Sequence, residues 1–146
     1  MAQTNKADEE LRKLSVEMRY LEQTAETLQQ RISMVNAAMT DLTYANMTLD
    51  EIEKEKENAE MLVPIGGSAY VKAKLADTNK IIVGLGAGVS IEKNLQEAKT
   101  TLKERLDELE KTMNSAQQQF NQVAERINSG RSRLESMLAN AREGKP

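Results

Sequence analysis

Gly84-Leu85-Gly86-Ala87-Gly88 is the stretch best suited to cradle a phosphate, because closely spaced glycines let backbone N–H groups approach an anion. A dinucleotide site needs G-x-G-x-x-G at a strand-to-helix turn inside a βαβ unit, but position 89 is Val and the flanking pattern supplies no such unit. The sequence also has no G-x-x-x-x-G-K-[ST] loop. Sharp strand bending or close packing is the better reading of these glycines. A second candidate chemistry is paired carboxylates, from Asp50, Glu51, Glu53, Glu55 and Glu57 or from Asp107, Glu108 and Glu110. Lysines and arginines interleave them at helical spacing, so they read as solvated faces with i,i+4 pairs. The chain has no Cys and no His. Disulfides, thiolate nucleophiles, Cys or His metal sites and imidazole catalysis are removed together. No cofactor is expected, and an enzyme is the weakest class.

The glycines belong to residues 61–91, which separate two charged arms and hold all but two of the seven glycines. From Ala69, the alternation places Ala69, Val71, Ala73 and Leu75 on one face of a strand and Tyr70, Lys72 and Lys74 on the other. Asp77-Thr78-Asn79 supplies turn residues before Lys80-Ile-Ile-Val-Gly-Leu, so these two runs are expected to form an antiparallel hairpin. Further reversals are expected at Pro64 to Gly67, folding Met61-Leu62-Val63 back, and at Gly86-Ala87-Gly88, returning Val89-Ser90-Ile91. Two small hairpins result. A sheet of this size buries too little apolar surface to offset chain entropy alone. Leu62, Val63, Ile65, Val71, Leu75, Ile81, Val83, Leu85 and Val89 are therefore expected to oligomerise the chain by meeting the same region of other subunits.

The arms follow from a helical period. Leu11, Leu14, Met18, Leu21, Ala25, Leu28, Ile32, Val35, Met39, Leu42, Asn46 and Leu49 alternate in steps of three and four, an unbroken heptad seam. Thr4 or Asn5 is the expected cap, and the helix, residues 5–59 at its widest, is expected to stop near Asn58, ahead of Pro64. Asn46 is either a register-setting polar position or a tolerated residue where the seam widens. Val16, Tyr20, Met34, Tyr44 and Met47 fall off the seam. The second arm, residues 91–143, takes Ser90 as its expected N-cap. Its seam runs Ile91, Leu95, Ala98, Leu102, Leu106, Leu109, Met113, Ala116, Phe120, Val123, Ile127, Gly130, Leu134, Met137 and Ala141. The step from Ala98 through Leu102 to Leu106 is a stutter. Gly130 costs helix propensity and permits bending or close approach. Each arm is ~80 Å long at about 1.5 Å per residue. Folded back on one another, they bring Leu11 near Met137, Leu28 near Phe120 and Asn46 near Leu102. A two-helix seam offers no interior pocket for a substrate.

Composition agrees with long helices rather than a compact core. The aromatic residues are Tyr20, Tyr44, Tyr70 and Phe120, and the net charge is −3 from 20 basic and 23 acidic residues spread over both arms. No basic patch points to nucleic acid, and no polybasic run points to an anionic membrane. The N-terminus lacks the apolar core of a signal peptide, and the longest apolar run, Ile81 to Val89, is far below the ~20 residues needed to span a bilayer. A cytoplasmic protein is expected.

The insert carries Leu62-Val63-Pro64-Ile65-Gly66-Gly67, Val71-Lys72-Ala73-Lys74-Leu75, Ile82-Val83-Gly84-Leu85-Gly86-Ala87-Gly88 and Ile91-Glu92-Lys93 between two heptad arms. In this it resembles the prefoldin family, and its two-hairpin length looks like the α type. The resemblance covers the whole chain as a single prefoldin-like domain, residues 1–146. It implies a hexamer of two α and four β subunits, hairpins joined in a barrel platform, and ATP-independent capture of unfolded proteins by distal coiled-coil tips. It further implies transfer of those clients to a group II chaperonin.

At the tips, the seam residues Leu11, Leu14, Met18, Leu21, Leu134 and Met137 become partly exposed if the terminal turns splay, as does Leu138. Val16 and Tyr20 already face outward. Each seam residue also reads as simple coiled-coil core, so off-seam Val16, Tyr20 and Leu138 are the stronger client-contact candidates. The competing class is a structural or tethering coiled coil that oligomerises through its β segment.

Overall fold

The computed structural model describes residues 2–143, with side chains from residue 5 onward. Its elements are α1 (Ala2–Lys54), β1 (Glu60–Gly66), β2 (Ala69–Lys74), β3 (Ile81–Gly86), β4 (Val89–Lys93) and α2 (Leu95–Arg142). The fold is thus mainly α, two long helices joined by two small antiparallel hairpins. Two compact units divide the chain: a terminal unit, Met1–Asn36 with Lys111–Pro146, and a central unit, Ala37–Glu110.

The heptad spacing decides which helix face is covered. Every first-arm seam residue from Leu11 to Leu49 is at least half-buried, Asn46 included. On α2 the same holds from Leu95 to Met137, whereas Ala141 is exposed. Within the terminal unit, Leu14, Met18, Leu21 and Ile127 form a buried cluster, with Ala25, Val123, Leu134 and Met137 packed on its edge. Solvent-exposed pairs flank it, Glu17 with Arg126 at 3.3 Å and Glu22 with Arg131 at 3.8 Å. Pairs this exposed are each worth at most about 1 kcal/mol, so apolar burial stabilises the seam more than they do.

Both helix boundaries near the hairpins differ from those expected. α1 leaves the helix at Lys54, not near Asn58. Asn58 adopts φ 64°, its N–H donates to the Leu75 carbonyl at 2.7 Å, and the Leu75 N–H donates to the Ala59 carbonyl at 2.9 Å. The backbone at Asn58 and Ala59 is therefore committed to extending the β1–β2 pairing. α1 also begins at Ala2, so neither Thr4 nor Asn5 stands ahead of it as a cap.

Ser90 does not cap α2, and Ile91 is not on its seam; both lie in β4. The cap is Asn94. Its Oδ1 accepts from the Glu97 N–H at 2.8 Å, and its Nδ2 donates to Glu97 Oε1 at 2.7 Å, a reciprocal closure of the helix start.

The strands form two separate two-stranded sheets, β1 with β2 and β3 with β4. The hairpin expected between the Ala69–Leu75 and Lys80–Leu85 runs is absent, because each run pairs outward instead. In both hairpins a two-residue loop, Gly67-Ser68 or Ala87-Gly88, has positive φ at both positions, the twist that suits right-handed strands. In both, the register shifts just before the loop, between Pro64 and Gly66 and between Gly84 and Gly86. Ile65 and Leu85 are thereby left as the extra residues of bulges.

Candidate interaction surfaces

Of the 16 exposed large hydrophobic residues among the described residues, ten belong to the hairpins: Met61, Leu62, Val63, Ile65, Tyr70, Val71, Ile82, Leu85, Val89 and Ile91. Cross-strand register explains their grouping. Val63 sits opposite Val71 and Met61 opposite Ala73, so one face of β1–β2 is apolar throughout. Leu62 opposite Lys72 and Pro64 opposite Tyr70 make the other, mixed face. Such a concentration of apolar side chains on a small sheet is the usual mark of a surface that meets another chain.

The second hairpin is attached differently. Val83 is 4% exposed and packs with Leu49, Leu95 and Ala98, with Ile52, Ile81 and Leu102 around them. Arg105 Nη2 donates to the Gly84 carbonyl at 2.7 Å, and Lys93 Nζ donates to Thr101 Oγ1 at 2.9 Å. The β3–β4 hairpin is thus fastened to α2 by both apolar and polar contacts.

Among the residues expected to oligomerise the chain, Leu62, Val63, Ile65, Val71, Leu85 and Val89 are exposed. Leu75 and Ile81 are half-buried, and Val83 lies inside the chain's own core. Four further exposed apolar residues, Met61, Tyr70, Ile82 and Ile91, lie outside the expected set. Strand alternation gives Met61, two residues before Val63 on the same face. Ile91 falls in the helical spacing of the second arm, and Ile82 needs the β3–β4 register, which the sequence does not carry.

In the terminal unit the candidate client residues divide by burial. Leu14, Met18 and Leu21 are buried, and Leu11, Leu134 and Met137 are half-buried in the seam. Val16 and Tyr20 are 63% and 67% exposed, one turn apart on α1, lining a shallow depression with Arg12, Lys13 and Glu17. Leu138 is exposed on α2 beside Glu135 and Arg142. These apolar side chains are offered to solvent without any rearrangement.

The glycine turn and two of the carboxylates, Asp50 and Glu53, have structural explanations. Gly86, Ala87 and Gly88 shape the β3–β4 turn. Asp50 and Glu53 grip Lys99, whose Nζ lies 2.9 Å from Asp50 Oδ1 and bonds Glu53 Oε2, while Gln96 donates to Glu53 Oε1 at 2.9 Å. Hydrogen bonding first to Glu53 and then to Asp50 holds the Lys99 ammonium above its ordinary pKa. The described residues contain no convergent group of three His, Cys, Asp or Glu side chains suited to a metal ion. Nor do they contain a helix long and apolar enough to cross a membrane.

Comparison with known proteins accounts for this arrangement. The family model "Prefoldin subunit" matches residues 21–139. The chain is 34% identical over 140 residues to the prefoldin subunit alpha of Methanococcoides burtonii, covering 96% of this chain and 97% of that one. It is also 34% identical over 128 residues to the prefoldin subunit alpha of Pyrococcus horikoshii, covering 87% of this chain and 84% of that one. Among solved structures, the filamentous prefoldin of Methanocaldococcus jannaschii superposes with TM-score 0.67 at 23% identity, covering 77% of this chain and 93% of that chain. The prefoldin beta subunit of Thermococcus strain KS-1 gives TM-score 0.58 at 17% identity, covering 87% and 90%. At these identities the two structures speak for the fold, and the family match with the curated relatives speaks for descent. The chain belongs to the prefoldin family and is similar to its alpha subunits.

Proposed function

We propose that this chain is the α-type subunit of an ATP-independent chaperone of the cytoplasm. Its hairpins join those of β-type subunits in a hexamer of two α and four β chains. Its terminal unit, the distal coiled-coil tip, captures unfolded proteins and passes them to a group II chaperonin. The observation that carries the reading is the segregation of exposed apolar side chains. A dense set lies on the hairpins, where a permanent partner would cover it, and a sparse set, Val16, Tyr20, Met34 and Leu138, lies on the terminal unit. A dense apolar face suits obligate assembly. Scattered apolar residues among charges suit weak contact with many partners. Catalysis plays no part in this reading.

The test is light scattering of a denatured model client with the assembled complex. Removing residues 1–20 and everything from Leu134 onward on α2, which takes away Val16, Tyr20 and Leu138, should leave assembly intact and abolish suppression of aggregation. A truncated complex that protects as well as the intact one contradicts the capture site. A structural spacer, the competing reading, would not delay aggregation even when intact.

A further inference from the structure

The cations of the terminal unit fall into two groups. Arg126 and Arg131 pair across the seam with Glu17 and Glu22. Two shallow depressions also mix their charges, Arg12 and Lys13 with Glu17 in one, Arg142 with Glu135 and Glu143 in the other. A third depression, of about 260 Å³, is lined by Arg31, Lys111, Thr112, Ser115, Ala116 and Gln119, and so holds two cations and no carboxylate. Neither Arg31 nor Lys111 makes an ion pair among the described residues. The sequence explains this: between Thr27 and Asn36 the only charged residue of α1 is Arg31, and from Thr112 to Ala124 α2 has none. At the floor lies Ala116, 3% exposed, a seam residue whose single methyl leaves the hollow unfilled.

We infer that this depression is a subsite for a carboxylate side chain of an extended, unfolded segment, held by the Arg31 guanidinium and the Lys111 ammonium with Ser115 and Gln119 as neutral partners. This rests on the client-capture reading above and adds to it a class of client segment, acidic residues beside apolar ones. The planar fork of an arginine matches a carboxylate in two parallel hydrogen bonds, and the lysine supplies a second positive charge. No acidic side chain in the lining already satisfies them, so on a chain of net charge −3 they form a local positive site. Arg31, Lys111, Ser115 and Gln119 are all exposed, so a small free ion would stay hydrated and be held weakly. A polypeptide gains more. Met34, 74% exposed, lies one turn from Arg31 on α1 and offers an adaptable thioether to the apolar neighbour of the acidic residue. The helices need not move for this contact.

Both cations are exposed, so Arg31→Gln with Lys111→Gln should fold and assemble as the wild type does. Fluorescence anisotropy with the assembled complex measures binding of two labelled, unstructured peptides, a Glu-Leu-Ser repeat and the same repeat with Gln in place of Glu. The wild type should bind the Glu peptide several-fold more tightly than the Gln peptide, and added sodium chloride should narrow the gap. The double variant should erase it. Arg133→Gln, which removes an exposed cation outside the depression, should leave it unchanged. Equal binding of the two peptides by the wild type, or a preference that survives in the double variant, overturns the subsite. Inorganic phosphate that abolishes the preference where sodium chloride of equal ionic strength does not would show a general anion site and overturn the peptide assignment. Aggregation of a denatured model client separates this result from capture itself. A wild-type complex that suppresses aggregation without preferring the Glu peptide removes the subsite and leaves the capture reading standing. One that binds neither peptide and suppresses nothing removes both.

Discussion

The two hairpins share one design and differ in what holds them. Each has a two-residue loop of positive φ and a bulge just ahead of it. Yet β3–β4 commits Val83 to the core and accepts a hydrogen bond from Arg105 at Gly84. In β1–β2 every residue except Ala73 is exposed, and the sheet continues into the chain through the backbone bonds of Asn58 and Ala59 with Leu75. Similar local chemistry thus serves two tasks. One hairpin is fixed to its own helices, while the other leaves its apolar face exposed.

The largest effect should come from breaking the fixed hairpin. Val83→Asp buries a carboxylate among Leu49, Leu95 and Ala98 without a counter-charge, and should destabilise the subunit by about 3–5 kcal/mol. Circular dichroism during thermal unfolding measures it. The matching change in the other hairpin, Val63→Asp, should move the isolated subunit's stability by less than ~0.5 kcal/mol, since Val63 has no intrachain core to lose. It should instead abolish assembly, read by native mass. Equal destabilisation by both substitutions would erase the distinction between the hairpins.

Smaller effects sharpen it. Asn94→Ala removes the α2 cap beside β4 and should cost ~1 kcal/mol in thermal stability. Ala87→Gly relieves a non-glycine residue held at φ 52° in the β3–β4 loop and should stabilise by up to about 1 kcal/mol. The smallest effect concerns Lys99. Its folded pKa lies above 10.5, so its contribution is complete below that value and is lost as pH rises through the folded pKa. The melting-temperature difference between the wild type and Lys99→Met should accordingly narrow as pH is taken above 10.5.

The helices are legible in the sequence because an unbroken three-four spacing leaves one face to bury. Leu11 to Leu49 could hardly be arranged otherwise. The glycine turns are legible for a similarly local reason. Strand partnership is not. Asp77 and Asn79 have the composition of a hairpin loop, but here Asp77 Oδ1 accepts from the Asn79 N–H at 2.8 Å, and Asn79 Oδ1 accepts from the Leu95 N–H at 3.2 Å. These residues tie the link between the hairpins to the start of α2. Ser90 and Asn94 are both acceptable caps by type, and only the length of β4 decides between them, although Glu97 three residues after Asn94 is a usable signal. The burial of Val83 depends on where Leu49 and Leu95 meet, a long-range fact that alternation within a strand does not contain.

The mass of the complex formed when the full chain is mixed with a prefoldin beta subunit tests the central claim most directly. Two copies of this 16.3 kDa chain with four of the partner is the expected result. A chain that remains a monomer in the presence of that partner would contradict the assembly through the hairpins and the chaperone function built on it.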